Sequence, residues 1–266
     1  MLKAILARLR QGHRTMDYPK GPPPALADRY RGVPMFREAL CPSDCRACVD
    51  ACPTGAVTAG EGLQLDLGRC LFCTDCVEAC PAGAITHDDD YRQAVRSRDD
   101  LRLSAGRPRP ELAQALDAPL RRLFGRSLKL RQVSAGGCNA CEADVNVLGT
   151  IGWDLGRFGI QFVASPRHAD GLLITGPVTV NMRAALEKTY AAVPAPKIVI
   201  AVGACAISGG PFVGHAEVDG GAAAVVPVDL FIPGCPPHPL TILDGLLRLL
   251  DRLPADRLRE RTEKRG

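Results

Sequence analysis

Two short stretches of the chain repeat each other, CRACVDACPTGAVT at residues 45–58 and CTDCVEACPAGAIT at residues 73–86. They match at most positions with an offset of 28 residues, and Cys41 and Cys70 precede them. The second complete run, C-x2-C-x2-C-x3-C-P, has the spacing with which thiolates hold paired 4Fe–4S clusters. In such pairs three cysteines of a run bind one cluster, and the fourth cysteine reaches the other cluster.

The two runs therefore predict two sets of ligands that exchange their fourth cysteines. Closely spaced thiolates can wrap one face of a cubane, the proline ends the turn, and small residues let the backbone lie close. The predicted ligands are Cys41, Cys45, Cys48 and Cys80 for cluster 1, and Cys70, Cys73, Cys76 and Cys52 for cluster 2. Zinc and disulfides are the alternatives, although zinc sites usually use two separated CxxC pairs. Cys41 lies one residue farther out than the usual first ligand, and without it we expect a three-iron cluster.

Length, charge and cysteine use limit the class of protein. A chain of 266 residues suggests about two domains. A formal net charge of +4 is too small to indicate a nucleic-acid partner. Unpaired thiols favour a reducing compartment, and we find neither a secretory nor a twin-arginine leader. No apolar run reaches the roughly 18 residues of a membrane helix, so we expect a cytoplasmic chain without a transmembrane segment of its own.

The first residues predict a short basic amphipathic helix. Its apolar face is formed by Leu2, Ile5, Leu6 and Leu9, with Lys3, Arg8 and Arg10 towards the other side. Such a helix can lie on a membrane surface or on a partner. A helix packed on its own domain, or a frayed terminus, is the alternative.

Residues 1 to about 90 resemble the two-cluster ferredoxin-like subunit of respiratory complex I and of membrane-bound hydrogenases. The resemblance rests on Tyr18-Pro19 and Arg31-Gly32, which precede the cysteine runs. Residues 91–126 are interpreted as a linker with a connecting helix around Glu111 to Phe124. The acidic triplet Asp88-Asp89-Asp90 is interpreted as a solvated end rather than a metal site.

Residues 127–266 alternate between short apolar runs and helical stretches. The predicted strands are Leu128–Val133, Ile160–Ala164, Leu172–Thr175, Ile198–Val202 and Val228–Ile232, and the main predicted helices are Thr179–Ala192 and Pro239–Leu253. This alternation predicts an α/β fold with a parallel sheet and helices on both faces.

The four remaining cysteines each follow a predicted strand: Cys138, Cys141, Cys205 and Cys235. The carboxyl ends of parallel strands meet at one crevice, so these thiols can hold one further 4Fe–4S cluster. Three clusters then account for all twelve cysteines. The alternative is that Cys205 and Cys235 are small buried apolar residues.

This half resembles the small subunit shared by complex I and NiFe hydrogenases, which implies a flavodoxin-like fold. The motifs are DLGRFG at 154–159, ASPR at 164–167, ITGPVT at 174–179 and PGCPP at 233–237. The complex I form has adjacent cysteines in its first ligand pair, whereas this chain has Cys138-Asn139-Ala140-Cys141. That spacing favours the membrane-bound, group 4 hydrogenases of the formate hydrogenlyase type.

The resemblance implies a proximal cluster that exchanges electrons with a separate large subunit, beside membrane subunits of the same complex. Glu142 is a candidate for tuning the cluster or relaying protons, with a plain salt bridge as the alternative. Arg167 is a candidate for tuning the cluster or contacting the partner, with an ordinary ion pair as the alternative. We expect no catalytic residue in the chain itself.

The two resemblances together imply a fusion of two electron-transfer subunits, peripheral on the inner face of the cytoplasmic membrane. An equivalent subunit of a complex I relative that oxidises quinone or ferredoxin and lacks nickel is one alternative. A free-standing soluble electron carrier is the other.

Overall fold

The two cysteine runs fold into two equivalent turns. In the computed structural model, which describes residues 2–12, 14–42, 44–60 and 62–253, each run forms one turn of helix, α2 (Ala47–Asp50) and α3 (Asp75–Glu78). Gly55 and Gly83 follow at matching positions with φ of 59° and 58°, a conformation that glycine adopts without strain. The sequence repeat is therefore a repeat of backbone structure.

Two small antiparallel sheets hold these turns. One pairs β1 (Pro34–Phe36) with β4 (Ile85–His87), and the other has the order β2 (Val57–Gly60), β3 (Gly62–Asp66), β5 (Arg102–Leu103). Their buried side chains, such as Leu65 and Ile85, pack in a core shared with Cys48 and Cys76. The thiols are thus fixed by packing on both runs.

The second half is a five-stranded parallel sheet. Its strands are β6 (Leu128–Ser134), β7 (Ile160–Phe162), β8 (Gly171–Thr175), β9 (Ile198–Val202) and β10 (Leu230–Ile232), and its helices are α5 (Ala140–Val147), α6 (Val180–Ala192), α7 (Ala204–Ser208) and α8 (Pro239–Leu249). The spatial order is β10-β9-β8-β6-β7. Read from the other edge, this is the 2-1-3-4-5 order of flavodoxin-like folds. The predicted fold class is confirmed.

Both faces of the sheet are buried, as expected for parallel strands. Leu173 on β8 packs in the core cluster that contains α8, whereas its neighbour Leu172 packs in the cluster that contains Leu186 of α6. Helices therefore cover the sheet on both sides. None of the helices in the described part of the chain is long and apolar enough to cross a bilayer.

The amino-terminal arm and the linker pack on the parallel-sheet half. The Tyr18 hydroxyl donates to Asp244 of α8 over 3.2 Å, and both side chains are buried. Val95 forms a two-way backbone bridge with Phe231, with N···O distances of 3.0 and 2.9 Å, and so covers part of the β10 edge. The two halves therefore share extensive packing.

The predicted connecting helix is shorter than expected. Helix α4 spans Ala118–Phe124. Asp117 caps its amino-terminal end, because the Asp117 carboxylate accepts from the Leu120 amide. In the segment before α4, the Ala113 amide donates to the Ala94 carbonyl, and the Leu116 amide donates to the Leu249 carbonyl. The prediction of helix from Glu111 was wrong because these amides bond to distant elements.

The final predicted helix and two strands also have different limits. The last helix ends at Leu249 rather than Leu253. Strand β7 ends at Phe162 rather than Ala164, and β10 begins at Leu230 rather than Val228.

Only the middle residue of the acidic triplet, Asp89, is exposed to solvent. The Asp88 carboxylate accepts from the Val33 amide over 2.7 Å and lies 2.8 Å from the Arg109 guanidinium. Asp90 pairs with Arg92 at 2.6 Å, and the side chains of this pair are each 12% exposed. The interpretation from sequence was wrong because these carboxylates tie the arm to the linker.

Candidate metal centres

The thiols of the first predicted set surround one small, mainly apolar cavity. The cysteines that line it are Cys41, Cys45, Cys48 and Cys80. Burial raises the pKa of Cys48, and the nearby thiols of Cys41, Cys45 and Cys80 raise it further. The structure therefore brings these four together, including Cys41 with its longer loop.

The thiols of the second set are also mutual neighbours. Burial raises the pKa of Cys70 to about 12, and the thiols of Cys52, Cys73 and Cys76 add to the shift. Burial likewise raises the pKa of Cys76 to about 11, with contributions from Cys73 and Cys52. Cys52 thus faces the cysteines of the other run, as Cys80 does in the first set.

Backbone amides donate to the sulfurs at equivalent positions of the repeat. The Ala56 amide donates to Cys52 Sγ over 3.2 Å, and the Ala84 amide donates to Cys80 Sγ over 3.3 Å. Burial favours the neutral Cys52 thiol, but donors that include the Ala56 amide outweigh it and lower the pKa of Cys52. Amide donors of this kind stabilise anionic cluster sulfurs and tune reduction potential.

The third set lies at the carboxyl ends of β6, β9 and β10. Cys138 lies in the loop before α5, Cys141 in its first turn and Cys205 in α7, and Cys235 follows β10. Burial raises the pKa of Cys141, and the thiols of Cys205, Cys235 and Cys138 raise it further. Burial raises the pKa of Cys205 to about 11, again with Cys235 and Cys138 nearby. The four thiols therefore share one rim of the sheet.

Glycines make room for the third set. A Cβ on Gly203, whose φ is +92°, would lie 2.5 Å from Cys141 Sγ. A Cβ on Gly210 would lie 2.8 Å from Cys205 Sγ. Side chains are therefore excluded beside these sulfurs, which fits a crevice that has to admit a cluster.

The donor chemistry of the three sets fits iron–sulfur clusters. All twelve cysteines are free thiols, which contradicts the disulfide alternative. Across the described ranges, no three His, Cys, Asp or Glu side chains converge as ligands of one metal ion. A cubane binds each thiolate through a different iron, so its ligands stand around a larger centre.

The sequence did not predict where the sets meet. The Cys73 thiol lies close enough to Cys235 to raise the pKa of Cys235, after the larger effect of burial. Both cysteines line one cavity of about 440 Å³, together with Arg31 and His238. The approach joins residues 162 positions apart, and no local pattern could have indicated it. A larger cavity beside the linker, of about 800 Å³, contains no cysteine.

Glu142 is held by hydroxyl groups. Its carboxylate accepts from Ser134 Oγ over 2.5 Å and from Thr175 Oγ1 over 2.6 Å. Burial favours the neutral acid, but these donors outweigh it and lower the pKa of Glu142. Within the described residues Glu142 forms no ion pair with a cation. Its tuning role remains a prediction.

Arg167 lies in the exposed turn Pro166–His168. It forms no ion pair with the described carboxylates, so the ordinary ion pair is not found, and its partner contact remains a prediction. His238 accepts from the Leu240 amide through Nδ1 over 3.1 Å and begins α8.

A thiol-rich ferredoxin-like region joined to a flavodoxin-like sheet defines a class of iron–sulfur electron-transfer proteins. Comparison with known families agrees with this class. Residues 40–84 match the 4Fe–4S dicluster domain, and residues 138–249 match the NADH ubiquinone oxidoreductase 20 kDa subunit. The chain belongs to the family of that 20 kDa subunit, which also includes hydrogenase subunits, and the resemblance inferred from sequence is confirmed.

Relatives come from both branches of the family. The probable membrane-bound hydrogenase subunit mbhJ of Pyrococcus furiosus is 42% identical over 136 residues, covering 51% of this chain and 81% of that protein. Formate hydrogenlyase subunit 7 of Escherichia coli is 43% identical, covering 54% of this chain and 56% of that protein. An NADH-quinone oxidoreductase subunit of Desulfovibrio desulfuricans is 38% identical, covering 61% of this chain and 86% of that protein.

Proposed function

We propose that the chain relays electrons through three 4Fe–4S clusters in a membrane-associated NiFe hydrogenase complex of the formate hydrogenlyase type. Residues 1–90 form its two-cluster domain with the arm, residues 91–126 the linker, and residues 127–266 the small-subunit domain. The complex lies at the inner face of the cytoplasmic membrane, and its membrane subunits are separate chains. The clusters supply one-electron redox chemistry, while the substrate reaction belongs to a separate large subunit.

The observation that carries the proposal is the continuity of the three thiol sets. The first set approaches the second where Cys48 and Cys76 pack in one core cluster of buried residues. The second set approaches the third where Cys73 and Cys235 line one cavity. The second set therefore lies between the first and the third, which supports electron transfer between the two halves of the chain.

The third set is also open on one side. Cys138 and Cys235 are exposed, whereas Cys48 and Cys76 in the first two sets are buried. An oxygen-sensitive cluster held by exposed cysteines needs another protein to cover it. We propose that the large subunit covers this rim. The same exposure argues against a free-standing soluble carrier.

The choice of hydrogenase rests on the two residues between Cys138 and Cys141. The second candidate is the equivalent subunit of a complex I relative, which the similarity to NADH-quinone oxidoreductase subunits favours. The test is nickel in the native complex purified through this chain. Nickel in the large subunit supports the hydrogenase, and a complex with no nickel supports the second candidate.

The clusters are tested on the chain purified without oxygen. Three cubanes predict about twelve iron atoms per chain, and four or fewer would refute the proposal. Cys141→Ala should remove at least one iron, change the electron paramagnetic resonance signal of the third cluster and leave the signals of the ferredoxin-like region intact. Cys80→Ala should change the same cluster signal as Cys45→Ala, and a change shared instead with Cys76→Ala would contradict the exchanged fourth ligands.

A further inference from the structure

Helix α1 (Leu2–Gln11) is exposed along its whole length. None of its residues is buried. Its large apolar side chains follow the i, i+3, i+4, i+7 pattern of one helical face: Leu2 is 72% exposed, Ile5 54%, Leu6 44% and Leu9 73%. A helix of ten residues is marginal in water unless such a face is covered. We refer to these four residues as the α1 face.

The charges of α1 are all of one sign. Lys3, Arg8 and Arg10 lie in the helix, and the first acidic residue of the chain is Asp17. At about 100° per residue, Arg8 falls at one border of the α1 face, and Lys3 and Arg10 fall at the other. Cations that flank an apolar face on both sides can extend towards anionic groups while the face between them is buried.

The structure also fixes the position from which α1 extends. The Arg157 guanidinium donates to the carbonyls of Met16 and Tyr18 over 2.6 and 2.7 Å. The Thr15 hydroxyl donates to the carbonyl of Ile151 over 2.9 Å, and the Ile151 side chain is 71% exposed at this anchor. Residues 15–18, a few positions after α1, are therefore held on the parallel-sheet half beside a further exposed apolar side chain.

We propose that α1 lies in the headgroup region of an anionic lipid bilayer, with the α1 face towards the acyl chains. A bilayer offers an apolar layer bordered on every side by anionic groups, which matches cations at both borders of the face. A groove in a partner protein would need acidic residues along both of its edges. The proposal goes beyond electron transfer, because it assigns membrane contact to one element of this chain.

The experiment is flotation of the full, iron-loaded chain with lipid vesicles. One vesicle preparation is phosphatidylcholine alone, and the other contains equal parts of phosphatidylcholine and phosphatidylglycerol. We expect binding to the anionic vesicles, weak binding to the neutral ones, and loss of binding at high salt. Each of Lys3→Gln, Arg8→Gln and Arg10→Gln should lower the affinity about fivefold.

The decisive variant is Leu9→Asp, which places a charge in the α1 face. Its control is Leu123→Asp, because Leu123 is an apolar residue of α4 that is 58% exposed. We expect Leu9→Asp to abolish vesicle binding and Leu123→Asp to leave it unchanged. No binding of the parent chain to anionic vesicles, or equal effects of the two variants, would overturn the proposal. Retention of binding by Leu9→Asp would also overturn it.

A partner groove gives a different result. In that case the parent chain would not bind vesicles, and Leu9→Asp would weaken assembly with the other subunits. This pair of results would also overturn the proposal. Iron content is measured in every variant and should not change, because α1 contains no cysteine. Failure of membrane binding is thereby separated from failure of the cluster assignment.

Discussion

Replacement of Gly203 by alanine tests whether the third thiol set holds a cluster of its own. The new Cβ would lie 2.5 Å from Cys141 Sγ, about 1 Å closer than the 3.4 Å at which ordinary contacts begin. It would also lie 3.5 Å from the carbonyl oxygen of Gly234, so it cannot move freely away from the sulfur. We therefore expect the sulfur of Cys141 to be displaced from its place in the set.

The variant carries two separable costs. Alanine at φ +92° is strained by about 1–3 kcal/mol, as expected for a residue with a side chain in this region. The second cost is local: the new Cβ displaces Cys141 Sγ from the third thiol set. Gly214→Ala is the matched control, because Gly214 has φ +82° and no atom within 4 Å of the position of its Cβ. Gly214→Ala therefore introduces similar backbone strain without a contact between the new Cβ and a thiol.

The assay is iron content together with electron paramagnetic resonance of the reduced chain. Gly203→Ala should lose at least one of about twelve irons and the signal of the intact third cluster, with the other two signals retained. Gly214→Ala should keep full iron content and lose only stability. Full iron content in Gly203→Ala would refute the reasoning, and equal iron loss in both variants would assign the effect to backbone strain.

Three further predictions concern stability. Asp244→Asn should cost about 3–5 kcal/mol in urea unfolding, because it removes the carboxylate 2.6 Å from the buried Arg248 guanidinium; Asp251→Asn, in an exposed pair, should cost less than about 1 kcal/mol. Burial favours protonated Asp90, but its Arg92 partner outweighs this effect and lowers the pKa of Asp90. The stability that this pair contributes should therefore be present above about pH 4 and be lost as pH falls, so Asp90→Asn and the parent should converge in acid. Chelation of iron should lower the unfolding midpoint, since ligand binding stabilises the folded state.

The ferredoxin-like turns and the parallel sheet were predictable because their signals are local. Ligand spacing within residues 41–52 and 70–80 sets how thiolates can surround a cluster, and runs such as 198–202 are apolar at every position, as strands buried on both faces require. The rim position of Cys138, Cys205 and Cys235 followed from the same logic, since each comes directly after a strand.

The features that were missed depend on contacts between distant segments. The polar stretch before α4 has helical composition, but the Leu116 amide bonds to the carbonyl of Leu249, so the helix begins only at Ala118. Three consecutive aspartates suggest solvent exposure until Arg92 and Arg109 are placed beside them. Arg92 is close to the triplet in sequence, but no local pattern indicates that Arg109 packs against Asp88.

The raised pKa values of the buried thiols make the proposed cluster binding depend on pH. Values of about 12 for Cys70 and about 11 for Cys205 mean that the metal-free thiols are protonated at neutral pH. Binding of a cluster by these thiols would release the protons, so it would become more favourable as pH rises. Because Cys52 and Cys80 each face the set of the other run, neither run completes a set by itself. The approach of Cys73 to Cys235 extends this dependence to the parallel sheet, so correct packing of the two halves determines whether the three sets are continuous.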